Sequence, residues 1–409
     1  MSHILLINQP VANRGDESAH RGFVRTLLQE YPDVELTCLF VGEPCADNIA
    51  QFAVQDSRVR YVNLPNGSTS RRLSKMGLLW PLRWLWSVSP GIRSILQYYR
   101  QEDIVVCAPG GADLGGFLSW KHLTYLFMAR YCHKPLAYFG RSFGPLRDGG
   151  VARWFFKRQS LDILRYMSFI SLRDVKSQRF ADALQIPYEP TVDSAFLELP
   201  QAEVPAEVVE AIDGKPYIVF VPNVLIWHYN FAGRISKEVI RDFYVRLTRQ
   251  LLQAYPSHQM LMLPQTFNGT REQNDINFFH ELKQIVGDER MKVLSDQYSS
   301  DIQQQIIRGA RLLVGARYHS VVFSLNNAIP FVGLSYEHKI SGLLTSLGKE
   351  DCMVDLIEGL NSPQAVEQTL QQIATHAAEA QADAACRERA HAIAMQALHK
   401  FCQTTTKKV

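Results

Sequence analysis

The stretch His3-Ile-Leu-Leu-Ile-Asn-Gln9 sets the pattern of this 409-residue chain. It is a short apolar run, typical of a buried parallel strand, and a helical pattern over residues 17–31 follows it. Within that helix the apolar side chains recur on one face, and Asp16 stands where an N-cap would accept backbone N–H groups. A strand followed by a one-sided helix is the repeating unit of a parallel α/β sheet.

The same alternation runs through both halves of the chain, and a polar stretch punctuated by proline and glycine separates the halves. Strands are predicted at 3–9, 35–41, 59–64, 103–108, 136–140, 168–172, 217–221, 260–263, 292–294 and 312–315, and helices at 17–31, 119–132, 153–166, 175–184, 237–254, 272–286, 299–309 and 319–327. We therefore predict an α/β protein with two parallel-sheet domains, 1–198 and 215–362. A helical tail at 363–409 follows, with Leu398 and Phe401 available to dock it.

The composition excludes several classes of protein. Lys and Arg number 43 against 40 Asp and Glu, and a net charge of +3 is too small to indicate nucleic-acid binding. The seven cysteines are odd in number and form no CxxC pair, which argues against a disulfide framework or a zinc site, so no metal is expected. The N-terminal run lacks the basic flank and cleavage site of a secretory signal, and no apolar run has membrane-spanning length. We expect a cytoplasmic protein.

In the first domain, several loops that follow predicted strands carry polar or glycine residues. Ligands of open parallel sheets bind at the carboxyl ends of the strands, so a site is expected in these loops. Asn13-Arg-Gly-Asp16 brings free amides and a carboxylate to a helix start, although a plain turn and helix cap explains the same residues. Pro109-Gly-Gly-Ala-Asp-Leu-Gly-Gly116 is either a cradle for a polyol or a tight strand-to-helix connection. Gly140–Pro145 and Ser171–Asp174 stand at the next two strand ends.

In the second domain, the most informative segment is Gly315-Ala-Arg-Tyr-His-Ser320, which follows an apolar strand and begins a predicted helix. Arg317 and His319 would flank the positive N-terminus of that helix, where a guanidinium binds carboxylate or phosphate oxygens and an imidazole transfers protons. One strand later, Glu337 and Lys339 add a carboxylate and a cation. A lone histidine or a solvated lysine is more often structural, but their recurrence at adjacent strand ends favours an anion pocket.

Taken together, these segments resemble the polysaccharide pyruvyl transferase family in order and spacing over residues 4–350. The resemblance is carried by Asn13-Arg-Gly-Asp16 with Ala19, Pro109-Gly-Gly111 with Leu114, Gly140-Arg-Ser-Phe-Gly-Pro145, Ser171-Leu-Arg-Asp174, Asp193-Ser-Ala-Phe196, Arg317-Tyr-His-Ser320 and Tyr336-Glu-His-Lys339. It implies a GT-B-like fold, in which two Rossmann-like halves face across a cleft and the donor binds the second half. The implied activity transfers a pyruvyl group from phosphoenolpyruvate to a sugar diol, forming a cyclic ketal and phosphate. The implied acceptor is a bacterial exopolysaccharide, capsule or cell-envelope saccharide, or its lipid-linked precursor.

This resemblance and the chemistry of ketal formation together assign roles to the residues. Arg317 is expected to bind the carboxylate or phosphate of the donor, His319 to transfer a proton or contact phosphate, and Lys339 to neutralise the departing phosphate. Ser320 and Glu337 complete the predicted donor set. The predicted acceptor-binding residues are Asn13, Arg14, Asp16, Gly110, Gly111, Asp113, Arg141 and Arg173. No cofactor is expected beyond phosphoenolpyruvate as co-substrate.

Two alternatives of different chemistry stay open. A nucleotide-sugar-dependent glycosyltransferase would share the fold, although no paired-glutamate donor motif is evident. An inert sugar-binding subunit is disfavoured because packing does not require Arg317, His319 and Lys339 together. Ala112 and Arg141 depart from the family pattern and put the acceptor in doubt. The sequence determines neither the acceptor sugar, the 4,6 or 3,4 position and stereochemistry of the ketal, nor the oligomeric state.

One further segment has two interpretations. Arg71–Trp86 combines basic residues with Trp80, Trp84 and Trp86, a composition suited to the membrane interface, where lipid-linked acceptors are found. Pro81 interrupts the pattern, and a pair of ordinary helices that pack their tryptophans inward explains the same residues. Peripheral contact with the inner membrane is therefore one of two hypotheses for this segment. In the same way, Asp193 belongs either to the site or to interdomain structure.

Overall fold

The computed structural model describes residues 2–10, 13–41, 49–50, 53–64, 86–111, 114–115, 118–146, 149–266 and 274–406. The chain divides into two compact units. Unit 1 comprises Met1–Val11, Ala19–Glu198 and Ala392–Val409, and unit 2 comprises Ala12–Ser18 and Leu199–His391. Each unit contains one parallel sheet with helices, and each is described separately below.

Unit 1 is built on a seven-stranded sheet. Its strands are β1 (Ser2–Ile7), β2 (Val34–Val41), β3 (Val59–Leu64), β4 (Ile104–Cys107), β5 (Leu136–Arg141), β6 (Phe169–Leu172) and β7 (Glu189–Pro190). All pairs are parallel, in the order β3-β2-β1-β4-β5-β6-β7. The described helices that begin before residue 200 are α1 (Arg14–Glu30), α2 (Pro90–Gln101), α3 (Trp120–Tyr131), α4 (Gly150–Tyr166) and α5 (Val175–Ala183).

The apolar run that opens the chain explains why β1 lies in the middle of this sheet. Leu5 and Ile7 pack in one apolar cluster, while Ile4 and Leu6 pack in a second. Successive side chains of a strand point to opposite faces, so a continuous apolar run suits a strand that is covered on both sides. The alternation of strands and helices predicted from the sequence is confirmed in this unit, except that α2 and the short strand β7 were not predicted.

Helix α1 begins three residues earlier than predicted. The side chain of Asn13 accepts a hydrogen bond from the backbone N–H of Asp16 at 2.9 Å and donates one to the Asp16 carboxylate at 2.6 Å. Asn13 therefore caps the helix, and the prediction that Asp16 is the N-cap is wrong. Asp16 instead lies in the first turn, where its negative charge favours the positive end of the helix.

Unit 2 contains a six-stranded parallel sheet in the order β10-β9-β8-β11-β12-β13. Its strands are β8 (Tyr217–Val221), β9 (Gln259–Met262), β10 (Met291–Val293), β11 (Leu313–Gly315), β12 (Phe331–Ser335) and β13 (Met353–Asp355). The remaining described helices are α6 (Ala206–Ile212), α7 (Lys237–Ala254), α8 (Asp275–Val286), α9 (Ser300–Arg308), α10 (Tyr318–Asn326), α11 (His338–Leu347), α12 (Leu356–Gly359), α13 (Pro363–Glu379) and α14 (Ala384–Thr406). The strand order reverses between β8 and β11, which makes this point the topological switch of the sheet.

The helical tail predicted after residue 362 is present as α13 and α14. Leu398 and Phe401 of α14 are fully buried, as predicted, and both belong to unit 1. The Phe401 ring lies 5.6 Å from both Phe139 and Phe169 and 6.3 Å from Phe23, measured between ring centroids. In the part of the chain that the structure describes, no helix combines the length and apolar character needed to cross a membrane.

Candidate functional site

The predicted donor residues lie at the carboxyl edge of the unit 2 sheet. Arg317 and His319 follow β11, and Glu337 and Lys339 follow β12, which pairs in parallel with β11. The loop after β8 reaches the same edge, because β8 pairs in parallel with the other side of β11. Ligands of open α/β sheets bind at such a switch point, since several strand ends deliver side chains there.

The guanidinium of Arg317 is held by a buried carboxylate. Its Nε donates a hydrogen bond to Oδ1 of Asp275 at 3.1 Å, and Nη2 donates to the same oxygen. Burial alone would lower the pKa of Arg317, but the Asp275 carboxylate and Tyr336 outweigh this effect and raise the pKa above its usual value. Among the described residues Nη1 has no hydrogen-bond partner.

Asp275 is in turn fixed by the backbone. It is 1% exposed, and its Oδ2 accepts N–H bonds from Gln265 at 3.0 Å and Thr266 at 2.9 Å. These two hydrogen bonds fix the orientation of the carboxylate that holds Arg317. Gln265 and Thr266 also contact the start of α1. The Arg14 N–H donates to the Gln265 carbonyl, and Asn13 forms an antiparallel bridge with Thr266.

Gly15 lies directly against the imidazole of His319. A Cβ atom built on Gly15 would lie 1.8 Å from Nδ1 of His319, far closer than two such atoms can approach. The His319 ring also has edge contact with Tyr318, with 4.9 Å between ring centroids. A glycine at position 15 is therefore required by this close approach. The Asn-Arg-Gly-Asp segment thus lies beside a predicted catalytic residue, within unit 2.

Arg14 and Asp16 have different surroundings within this segment. Arg14 is 1% exposed, and its guanidinium donates to Glu17 and to the Asp296 carbonyl, each at 2.8 Å. A buried arginine paired in this way has a structural explanation, because removing either partner would leave a buried charge. Asp16 is partly exposed and bonded to Asn13. Acceptor binding by Asn13, Arg14 and Asp16 stays a prediction.

A second charged cluster contains Glu337, His228 and Lys339. Oε2 of Glu337 lies 3.7 Å from Nε2 of His228, and Oε1 lies 3.1 Å from Nζ of Lys339. Burial alone would raise the pKa of Glu337, but the contact with His228 and the charge of Lys339 lower it to about 2. Glu337 therefore holds the Lys339 ammonium group from one side, and Lys339 itself is 42% exposed.

The lowered pKa of Glu337 predicts how stability depends on pH. A carboxyl whose pKa is lowered in the folded state stabilises the fold at pH values above its usual pKa, which is 4.5 for Glu337. This contribution is lost as the pH falls towards about 2. The full contribution is at most about 3 kcal/mol. In Glu337→Gln the free energy of unfolding should therefore fall less steeply than in the wild type between about pH 5 and pH 3.

Urea unfolding at several pH values checks this prediction. Glu210→Gln, which removes an exposed carboxyl from α6, is the matched control and should keep the wild-type slope. If the free energy of unfolding depended on pH equally in Glu337→Gln and the wild type, the contacts of Glu337 with His228 and Lys339 would contribute nothing to stability.

Ser320 and three residues absent from the predictions complete the description of the site. The Ser320 hydroxyl donates to the Arg317 carbonyl at 2.6 Å and is fully buried, so its predicted donor contact stays a prediction. Asp275, His228 and Trp227 were not predicted. Trp227 and His228 follow β8, so the same search of strand ends would have reached them, whereas Asp275 begins α8 well beyond the end of β9.

The predicted acceptor residues of unit 1 are largely engaged with protein. Arg141 is fully buried and donates to the Ala108 carbonyl at 2.6 Å and the Asn8 carbonyl at 3.2 Å. A Cβ on Gly110 would lie 2.9 Å from Pro10, whereas one on Gly111 would meet nothing within 4 Å. The loop around Gly110 is therefore at least a tight connection, and acceptor binding by these residues stays a prediction.

Arg173 and Asp193 form a buried ion pair within unit 1. Arg173 donates to the Asp193 carboxylate and to the Ser142 hydroxyl, and Asp193 also accepts the Ala195 N–H at 3.0 Å. These contacts give both residues a structural role, and ligand binding by Arg173 stays a prediction. Asp113 lies outside the described residues.

A pocket of about 180 Å³ opens at the carboxyl ends of β1 and β2 in unit 1. Its polar lining consists of Asn8, Gln9, Ser119, Lys121, His122 and Tyr125. None of the predicted acceptor residues that the structure describes lines this pocket.

Of the basic, tryptophan-rich segment, only Trp86 lies within the described residues. Its side chain is fully buried and packs 5.6 Å from Tyr131, measured between ring centroids. This contact agrees with the interpretation that tryptophans of the segment pack inward, while Trp80 and Trp84 lie outside the described residues.

Two parallel sheets of doubly wound strand order, one with the Arg317 cation at its switch point, define an α/β protein of the Rossmann type. The chain belongs to the polysaccharide pyruvyl transferase family, whose model matches residues 13–338. It is therefore a pyruvyltransferase, and the membership disfavours both the glycosyltransferase and the inert sugar-binding subunit. The chain is also similar to the amylovoran biosynthesis protein AmsJ of Erwinia amylovora, with 22% identity over 395 residues covering 87% of this chain and 88% of that protein.

Solved structures of low identity share the fold. UDP-GlcNAc 2-epimerase from Neisseria meningitidis, bound to UDP-GlcNAc, matches with a TM-score of 0.59 and 9% identity over 99% of both chains. Trehalose 6-phosphate synthase from Burkholderia multivorans matches with a TM-score of 0.52 and 11% identity over 100% of this chain and 99% of the other. The predicted fold class, two Rossmann-like domains of the GT-B type, is confirmed.

Proposed function

We propose that this pyruvyltransferase uses phosphoenolpyruvate as donor and forms a cyclic ketal on a sugar diol, releasing phosphate. The observation that carries the proposal is the arrangement around β11 and β12. The buried carboxylate of Asp275 orients Arg317, and Glu337 holds Lys339. His319 lies in the first turn of α10. A carboxylate and a phosphate on one small donor need such separate cations.

The reaction requires one proton on carbon and two new C–O bonds. A proton adds to the methylene carbon of phosphoenolpyruvate, and the first sugar hydroxyl attacks C2 of the resulting oxocarbenium-like centre. The second hydroxyl then displaces phosphate from C2. The two hydroxyl protons balance the proton gained by the methyl group and the one that leaves with phosphate. Each step needs general acid–base help and stabilisation of the anion.

The site residues suit these needs in distinct ways. Nη1 of Arg317 is directed to the donor carboxylate or phosphate, because Asp275 occupies Nε and Nη2. His319 delivers the proton to the methylene carbon. Lys339 neutralises the departing phosphate, and Glu337 holds its ammonium group in place.

We further propose that the acceptor belongs to the synthesis of an exopolysaccharide, which the similarity to the amylovoran biosynthesis protein supports. Under this proposal the acceptor is the polysaccharide or its lipid-linked precursor at the cytoplasmic face of a membrane. Asn13 and Asp16, which flank Gly15 beside His319, are the best placed of the predicted acceptor residues.

Calorimetric titration with phosphoenolpyruvate, set beside a panel of nucleotide sugars, tests the donor. We expect the wild type to bind phosphoenolpyruvate and Arg317→Ala to bind it about 10- to 100-fold more weakly, because a charge-assisted contact is lost. Asp275→Asn, which keeps the guanidinium but removes its charged partner, should give an intermediate loss.

Arg308→Ala is the control, because Arg308 is exposed at the end of α9 and makes none of the contacts described above. Preference for a nucleotide sugar over phosphoenolpyruvate would overturn the donor assignment.

A further inference from the structure

The loop that follows β8 exposes two aromatic side chains next to the donor residues. Trp227 is 37% exposed and Tyr229 is 67% exposed. We call these two residues the aromatic platform. Burial of aromatic rings is a large stabilising contribution to a fold, so two exposed rings in one short loop suggest a binding surface.

The indole of Trp227 is held in place although it is exposed. Its Nε1–H donates to Oδ1 of Asn223 at 3.3 Å, and Asn223 is fully buried. The same oxygen accepts the N–H of Leu225 at 3.3 Å. Leu225 has a φ of 62°, a conformation that leucine adopts rarely and that costs free energy. One buried amide therefore fixes both a strained turn and the exposed ring, which is the arrangement of a preorganised contact.

The position of the ring relates it to the donor residues. The Arg317 guanidinium carbon lies 5.9 Å from the centroid of the Trp227 ring. His228 and Tyr336 contact the indole in edge-to-face arrangements, with 5.5 Å and 6.2 Å between ring centroids. His228 in turn contacts Tyr229, with 4.2 Å between ring centroids, and Glu337. A molecule that lies on Trp227 is therefore next to a donor held by Arg317.

We propose that the aromatic platform binds the pyranose ring of the acceptor by stacking, so that the diol to be modified lies beside the donor. A pyranose presents C–H groups on its faces and hydroxyl groups around its rim, so an aromatic ring can hold the face while the rim stays free to react. Phosphoenolpyruvate is highly charged, so contact with an apolar ring would add little to its binding free energy. This inference rests on the proposed function, because it assigns the second substrate of the same site.

Nuclear magnetic resonance of the indole N–H groups tests this contact directly. The full chain, saturated with phosphoenolpyruvate, is titrated with methyl glycosides of galactose, glucose, mannose and N-acetylmannosamine, and with uridine monophosphate. We expect at least one glycoside to shift the Trp227 resonance more than uridine monophosphate does. A larger shift with the nucleotide, or no shift with any glycoside, would overturn the proposal.

Kinetics with the glycoside that binds completes the test. Trp227→Ala should raise the KM for that glycoside about tenfold, while Trp227→Phe, which keeps an aromatic face, should raise it only about threefold. Both variants should keep the affinity for phosphoenolpyruvate within about threefold of the wild type. Trp154→Ala, which removes another exposed tryptophan from α4 in unit 1, is the control and should change neither value.

Two results would contradict the proposal that the aromatic platform binds the acceptor. An unchanged KM in Trp227→Ala would show that the ring does not hold the acceptor. A loss of phosphoenolpyruvate affinity as large as that of Arg317→Ala would show that Trp227 only positions the guanidinium. Failure of the wild type to bind phosphoenolpyruvate would instead refute the proposed donor, a result that does not depend on any Trp227 variant.

Discussion

His319→Ala is expected to lower turnover by about 10²- to 10⁴-fold while the fold stays intact. The imidazole is the proposed source of the proton that converts the methylene carbon to a methyl group. His319 is half-buried in the first turn of α10 and is no part of the apolar core, so its loss should change the melting temperature little. Phosphate release in the presence of phosphoenolpyruvate and an accepted saccharide measures the effect.

Two further variants make this measurement specific. His319→Gln keeps hydrogen bonding but cannot transfer a proton, so it should be nearly as inactive as the alanine variant. His280→Ala removes an exposed histidine from α8 and should keep wild-type turnover. Near-normal turnover in His319→Ala would end the assignment of His319 to proton transfer.

Gly15→Ala should have a comparable effect, although it leaves the chemistry of every side chain that takes part in the reaction unchanged. The added methyl carbon would lie 1.8 Å from Nδ1 of His319, so the imidazole must move away from its present position. Misplacement of a catalytic group by about 1 Å can lower the rate of a reaction about 10²-fold. We expect a loss of kcat with folding retained, because the obstacle is a side chain that can rotate.

Gly342→Ala is the matched glycine control. It lies within α11, and a Cβ there would meet nothing within 4 Å. Alanine favours a helix over glycine by roughly 0.5–1 kcal/mol, so this variant should be slightly more stable and fully active. Wild-type kcat in Gly15→Ala would show that the position of His319 does not limit turnover.

The sequence predicted the part of the site that depends on local position. Arg317 and Lys339 each follow an apolar strand within a few residues, and a parallel sheet brings such strand ends to one edge. These side chains could therefore be placed at the same edge of the sheet without knowledge of the strand order. The same reasoning explains why the fold class was predicted correctly, since the alternation of strands and helices is itself local.

Reasoning from local sequence patterns could not predict side-chain pairs between residues that are far apart in the sequence. Asp275 is 42 residues from Arg317, and no pattern in the sequence pairs them. Arg14 and Arg173, both predicted to bind the acceptor, each form a buried ion pair with a carboxylate. The sequence does not indicate such pairs, because they depend on burial and on the position of the partner.

The place of Phe401 in unit 1 has a consequence for how the protein is made. The ring packs against Phe23 and Phe139, which are synthesised hundreds of residues earlier. Domains generally fold in the order in which they leave the ribosome. Here the earlier unit must keep part of its apolar core uncovered while the whole of the later unit is translated. The nascent chain is therefore exposed to aggregation until its last helix arrives.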